Sequence, residues 1–288
     1  MGDHSTGGDK VADAKSSSAS MPTSMSASSF DSASDTNTRE LQLIADFRKR
    51  FNESANTAKM QPQDVVRVRD SQFDWWLRLF LDRYNFDLDV AYPCFIEALK
   101  WRKDLGVDEI SVLRLKDGFA LQSLYIHGVD KEGSPILWFN VRNHRKDLPK
   151  KDQHELMTFW MEKHYFETRG APIVIIFDLY QTGLAQMDLE AVRFLLNLLK
   201  FYYPCCLSYL LVYEIPWVLN AAWKIIKSWL DADAQKKIIF IGKKEIPEYV
   251  AEKHRPAHMN GSVGCTRFYE IGVNNLAPLG LSTYSFRV

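Results

Sequence analysis

The chain has 288 residues, 46% of them apolar and 13% aromatic, with 36 basic residues balanced by 36 acidic ones. A formal charge of zero excludes the basic excess that marks a dedicated nucleic-acid binder. The apolar content suffices for a sizeable core, in one large domain or two small ones. Cys94, Cys205, Cys206 and Cys265 show no CxxC spacing, and adjacent Cys205 and Cys206 would pair only under severe strain. Reduced thiols of a cytosolic protein are expected. No apolar run reads as a signal peptide or reaches the ~20 residues of a membrane span.

Residues 1–38 are dominated by Ser, Ala, Asp and Gly. They cannot bury enough apolar area to offset their ordering entropy, so a disordered tail is expected. Asn37 and Glu40 have capping-box spacing, and Leu41, Ile44, Phe47 and Phe51 follow at helical intervals. Phe73, Trp76, Leu77, Phe80, Leu81 and Tyr84 trace one face of an amphipathic helix. Ala91, Phe95, Ala98, Leu99 and Trp101 mark another, with Asp87 or Asp89 as its cap and Gly106 at its end. Residues 39–112 therefore read as a small helical subdomain.

From Ser123 the pattern changes. Residues 124–129 and 135–142 read as a hairpin around Asp130, Lys131, Glu132 and Gly133. The basic cluster Arg142, His144, Arg145, Lys146, Lys150 and Lys151 suits either anionic lipid head groups or a solvated loop. Residues 152–168 form an aromatic-rich helix, and residues 172–179 a nearly continuous apolar strand covered on both faces. Residues 188–203 read as one helix with two apolar faces, Val192, Leu195, Leu196 and Leu199 on one and Phe194, Leu198 and Phe201 on the other.

Residues 202–242 read as strand, helix, strand. Leu207–Tyr213 lies between Pro204 and Pro216, a helix covers 217–230, and a short strand from Lys237 closes at Gly242. Such a unit is a right-handed crossover, which implies an at least partly parallel sheet. Its helix again carries two stripes: Val218, Ala221, Ala222, Ile225 and Trp229, and Leu219, Trp223, Ile226 and Leu230. A surface helix needs one. The second requires a large core, a cavity or a membrane surface.

Candidate chemistry is sparse. Asp178 ends an apolar strand without a phosphate loop or a second carboxylate nearby, and reads as a structural carboxylate bonding the following loop. His254 and His258 have helical ligand spacing near Cys265, but Pro256 breaks the helix that would align them. Gly261, Ser262, Val263 and Gly264 form a turn one residue short of a nucleophile elbow. No metal and no cofactor is expected.

The order of these pieces resembles the CRAL-TRIO lipid-binding family. The pieces are the Phe86 and Trp101-Arg102 stretches, the Gly128–Gly133 turn, the strand ending at Asp178, Tyr203-Pro204, Glu214-Ile215-Pro216-Trp217 and Lys237-Ile238. The likeness spans roughly residues 70–264. It implies an α/β fold: a mostly parallel sheet with flanking helices enclosing an apolar cavity, preceded by a small N-terminal helical subdomain. The lipid domain would span 117–272, followed by a tail over 273–288. The resemblance makes residues 217–230 the mobile gate.

In the family's phosphatidylinositol-transfer members a Glu-Arg pair follows Tyr-Pro, and a Thr and a Lys flank the last strand. Here Cys205, Cys206 and Ala234 stand at those positions and only Lys237 remains. Asp82, Arg83, Tyr84 and Asn85 likewise replace most of a basic run. Of those inositol-phosphate contacts only Lys237 carries over, and phosphatidylinositol and other apolar cargo both stay open.

The expected function is non-catalytic binding and transfer of a hydrophobic ligand, a phospholipid or another lipid, between membranes; an interaction module without cargo is the alternative. Exposing each CH₂ costs ~0.8 kcal/mol, so a carrier must cover nearly its whole cargo chain. The expected ligand-binding residues are Phe194, Leu198, Phe201, Leu211, Tyr213, Ala222, Ile225, Ile226, Trp229 and Lys237. Trp217, Trp223, Lys224 and Lys227 are expected to touch the membrane. The expected partners are a lipid and, transiently, a membrane surface such as the endoplasmic reticulum, with no nucleic acid; oligomeric state is open.

Overall fold

A computed structural model describes residues 27–263, with side chains from residue 37 onward. Most of the Ser-rich tail, Cys265 and the tail over 273–288 lie outside the described residues. The chain divides into two compact units, Met1–Arg39 and Glu40–Val288. The described part of the first is the opening of α1 (Ala27–Ser54). The helix thus begins upstream of Asn37, inside the stretch expected to be a disordered tail. No Gly or Pro interrupts this stretch, and its alanines favour helix. Every later element belongs to the second unit.

Beyond α1 the helical part comprises α2 (Pro62–Arg69), α3 (Asp74–Arg83), α4 (Leu88–Leu105) and α5 (Lys116–Ala120). The Asp87 carboxylate caps α4 by accepting from the amides of Asp89 and Val90, and Gly106 ends it at φ +73°. Phe47, Trp76, Phe80 and Phe95 are buried together, with Phe80 and Phe95 edge to face at 4.9 Å.

The sheet has five strands in the order of the chain: β1 (Leu124–Val129), β2 (Pro135–Asn140), β3 (Ile173–Asp178), β4 (Leu207–Tyr213) and β5 (Ile238–Ile241). The first pair is antiparallel and every later pair is parallel. The hairpin turn is held by Asp130, whose Oδ1 accepts from the Glu132 and Ser134 amides at 2.9 and 2.8 Å. Tyr209 of β4 donates its hydroxyl to the other oxygen at 2.7 Å. Gly128 sits at φ +67°, and a Cβ there would stand 2.8 Å from the His254 ring.

The parallel strands are joined through α6 (Lys150–Glu167), α7 (Leu189–Asn197) and α8 (Asn220–Ser228) with α9 (Ala232–Lys236). Each new strand lies beside the last, so right-handed crossovers place all these helices on one face. The segment after β5, opening with α10 (Ile246–Tyr249) and running to Val263, covers the other. There Tyr249 packs 5.8 Å from Tyr209, and His258 lies 6.1 Å from Tyr213.

A buried ionic chain ties the helical part to the sheet's helices. Arg102 of α4 donates to Asp64 of α2 at 2.6 Å and to Glu162 of α6 at 2.5 and 3.0 Å. Burial alone would lower the Arg102 guanidinium, but Asp64 and Glu162 hold it well above its ordinary value. Trp101 stacks flat on Tyr202 at 3.8 Å.

Candidate functional site

Three cavities form a row between the sheet and its helices. The central one is apolar, about 70 Å³, and floored by Phe139, Phe177, Leu210, Val212 and Ile238. The pairings Phe139–Phe177 and Phe177–Val212 put these side chains on one face. Val192 and Leu196 of α7 wall it, and Leu219, Trp223 and Ile226 close it from above. These last three sit at i, i+4 and i+7, so the stripe containing Leu219 faces inward. Trp223 meets Phe240 of β5 edge to face at 4.8 Å.

A wider chamber of about 610 Å³ shares Leu196, Leu210 and Ile238 with the central cavity. Arg83, Arg193, Lys200 and Lys237 line it together with Asp82, Asp231 and Asp233. A third cavity of about 280 Å³ shares Phe139 and His144 at the other end. Its Arg114 is bound to Asp152 and Glu155.

The helix α8 that covers the central cavity is shallowly seated. No residue of α8 is buried, although Ala, Trp and Ile make up five of its nine. Trp217, just before it, is 84% exposed, and Lys224 and Lys227 face solvent. Pro216 starts a 3-10 turn over Trp217–Leu219. At the other end Gln235 of α9 donates to the Leu230 carbonyl at 3.0 Å.

Several expected site residues stand elsewhere. Leu211 and Tyr213 point to the opposite face of β4, because alternate residues of a strand face opposite ways. The cavity-facing residues are their neighbours Leu210 and Val212. Leu198 is fully buried and lines none of the three cavities, and Phe194 stacks on His154 at 3.8 Å. A π turn over Leu198–Tyr202 follows, whose extra residue rotates the side chains downstream of it. Leu199, Lys200 and Phe201 reach the wide chamber as a result, with Phe201 44% exposed. Ala222 and Ile225 line none of the cavities, and Ile225 is exposed. Trp223, expected at the membrane, is half-buried and lines the central cavity against Phe240. Ile226 lines the central cavity, and Trp229 and Lys237 the wide chamber.

The remaining candidate groups have structural partners. Asp178 accepts from the Tyr180 amide at 3.1 Å and pairs with His258 at 2.8 Å, while Tyr180 stacks on the His258 ring. The expected basic patch is largely engaged: Arg145 with Asp147, Lys151 with Glu155, and His144 and Lys150 with Asp188. Asp188 also caps α7 through the Ala191 amide. Burial pushes the Cys205 thiol up to about 11, with Asp82 adding to it, and Cys206 up to about 12. Both thiols therefore stay protonated near neutral pH. Cys94, Cys205 and Cys206 are free. Among the described residues there is no group of three metal-ligating side chains and no helix long and apolar enough to cross a membrane.

The fold has a counterpart. The crystal structure of Sfh5 aligns with 82% of this chain and 95% of its own, at a TM-score of 0.50 and 14% identity, which speaks to the fold. Residues 120–261 match the CRAL/TRIO domain family model. Relatives include the CRAL-TRIO domain-containing protein C3H8.02 of Schizosaccharomyces pombe, 26% identical over 65% of this chain and 45% of that protein. The phosphatidylinositol transfer protein CSR1 of Eremothecium gossypii is 26% identical over 63% of this chain and 45% of its own. The match thus spans under half the length of these two relatives. The Sec14 cytosolic factor of Schizosaccharomyces pombe is 27% identical over 73% of this chain and 84% of its own. The family model and these Sec14-like relatives together support a CRAL/TRIO domain over residues 120–261 of this chain.

Proposed function

We propose that the chain binds a hydrophobic lipid without catalysis and transfers it between membranes, with residues 217–230 as the gate. The observation that carries this reading is α8: it closes an apolar cavity with Trp223 and Ile226 yet buries none of its own residues. Relatives described as phosphatidylinositol transfer protein and Sec14 cytosolic factor support a lipid as ligand. At about 70 Å³ the central cavity is far below the ~300–1,000 Å³ of small-molecule pockets. The described conformation is therefore closed, and cargo enters only when α8 moves away from β5.

Trp217, Lys224 and Lys227 give the gate an aromatic anchor and cations for a lipid surface. Within the family, the phrases YIHGVDKEG and PWVLNAAWKIIKSWL resemble the CRAL-TRIO domain of motile sperm domain-containing protein 2, which makes the endoplasmic reticulum the membrane proposed. The narrowness of the central cavity favours one second reading, an interaction module of the same fold that exchanges no cargo. Native mass spectrometry after incubation with liposomes separates the two. A co-purifying lipid is expected, and none under any condition sinks the carrier reading. Asp178→Asn is expected to leave lipid pickup unchanged; loss of pickup in a folded variant would give Asp178 a role beyond its loop.

A further inference from the structure

The sheet leaves one edge open. β5 stands at the end of the strand order and pairs with β4 alone. The Leu210 amide donates to the Lys237 carbonyl at 2.8 Å, and the Glu214 amide to the Ile241 carbonyl at 3.0 Å. Alternate residues of a parallel strand bond to the same neighbour. Lys237, Ile239 and Ile241 therefore face β4, while Ile238 and Phe240 turn their amides and carbonyls outward. Among the described residues no other group bonds to these outward pairs. At the far edge, by contrast, the segment after β5 flanks the end of β1. There the Lys131 amide donates to the Tyr249 carbonyl at 2.9 Å, and His254 lies against Gly128.

Lysines bracket this edge, Lys236 and Lys237 before it and Lys243 and Lys244 after it, and all of them are exposed. Lys236 pairs with Asp233 at 2.8 Å, and Lys237 donates to the Leu207 carbonyl at 2.6 Å. Among the described residues no carboxylate pairs with Lys243 or Lys244. The carboxylates beside them are taken by backbone, Glu245 by the Gly242 amide at 2.9 Å and Glu214 by the Lys243 amide at 2.8 Å. Lysines on an edge strand normally keep copies of a protein from pairing there. In an antiparallel pair of β5 strands, Lys236 and Lys237 would oppose Lys243 and Lys244. In a parallel pair each lysine would meet its own copy. Like charges directly opposite are destabilising, so a second copy is disfavoured in both arrangements. The same charges attract a strand with acidic ends. Between them Phe240 is 42% exposed even though it meets Trp223, and it offers apolar area beside the open amide and carbonyl.

We propose that the outer edge of β5 is a docking site for an extended segment of a partner protein, with acidic residues at both ends and β-branched residues between them. The segment pairs with the amides and carbonyls of Ile238 and Phe240 and becomes a sixth strand of the sheet. Its middle covers Phe240, and its acidic ends meet the bracketing lysines. Phe240, Lys243 and Lys244 line none of the three cavities, so docking here does not depend on cargo.

The test uses the full chain and a fluorescein-labelled peptide, Asp-Glu-Thr-Val-Thr-Val-Glu-Asp, followed by fluorescence anisotropy. Saturable binding that weakens as salt rises is expected. Lysines in place of the peptide's acidic residues should abolish it. N-methylating alternate peptide amides removes the donors along one edge of the added strand only. One alternating pattern should therefore abolish binding, and the other should leave it. Lys243→Glu with Lys244→Glu, both at exposed positions, should weaken it by about tenfold. Failure of the acidic peptide to bind overturns the proposal, as does equal binding of its lysine counterpart. Equal binding with both N-methyl patterns overturns strand pairing, and an unchanged affinity in the lysine variant moves the contact off β5. A chain that dimerises alone, and that the peptide dissociates, would reassign the edge to a second copy.

Discussion

Tyr203 donates its hydroxyl to Glu162 at 2.6 Å, and the same carboxylate binds both outer nitrogens of Arg102. Tyr203 follows the π turn of the cavity wall, and Arg102 belongs to the helical part of the same unit. All three side chains are buried, so the helical part and the cavity wall share one ionic anchor.

Arg102→Met would leave Asp64 and Glu162 buried without their common cation. Breaking such a pair costs about 3–5 kcal/mol. The expected result is a stability in urea unfolding lowered by that amount. A loss under about 1 kcal/mol would mean the anchor contributes little.

The shared wall of two cavities offers a plug. Leu210→Trp adds bulk where the central cavity meets the wide chamber, and overpacking costs about 1–3 kcal/mol of stability. The folded variant should carry less lipid after liposome incubation, measured by native mass spectrometry. Ala222→Trp lines no cavity and should carry as much as wild type. Equal occupancy in both variants would show that Leu210 does not border the cargo.

Membrane contact through the gate predicts a charge effect. Each lysine near an anionic surface contributes about 1 kcal/mol. Lys224→Gln with Lys227→Gln should therefore weaken binding to phosphatidylserine-containing vesicles by roughly 30-fold in co-sedimentation. The deficit should shrink as salt rises. A double variant that binds like wild type at low salt would place the contact elsewhere.

Acid should weaken the fold before carboxylates titrate. Burial lowers the His164 pKa, although the Ala171 carbonyl it binds at 2.7 Å opposes that shift. A lowered folded pKa gives stability that is full above the unfolded value near 6.5 and is lost as pH falls below it. The melting temperature should drop between about pH 7 and pH 5. His164→Gln keeps a donor for Ala171 but does not titrate, so its drop should be smaller. Identical pH profiles would clear His164 of the effect.

Much of the fold was legible in the chain. Continuous apolar runs marked β3 and β4, and the Asp130 turn marked the hairpin. What escaped was which way residues point. A parallel strand covered on both faces has no polar alternation, so Leu211 and Tyr213 read as cavity residues as readily as Leu210 and Val212. The same ambiguity affected α8, where either stripe could face inward until Phe240 placed Trp223. The π turn carries no periodic signal, yet downstream of it Phe201 turns to the wide chamber. Arg193 read only as part of a polar edge, because nothing in sequence places it over Trp229.

The strand order has a mechanical consequence. With α6, α7 and α8 on one face, the hydrogen-bonded ladder is complete without any of them. Swinging α8 away from Phe240 breaks side-chain contacts only, and no strand loses a backbone partner. The work of opening then scales with the apolar area beneath one short helix, a quantity a membrane or an incoming acyl chain can replace in kind.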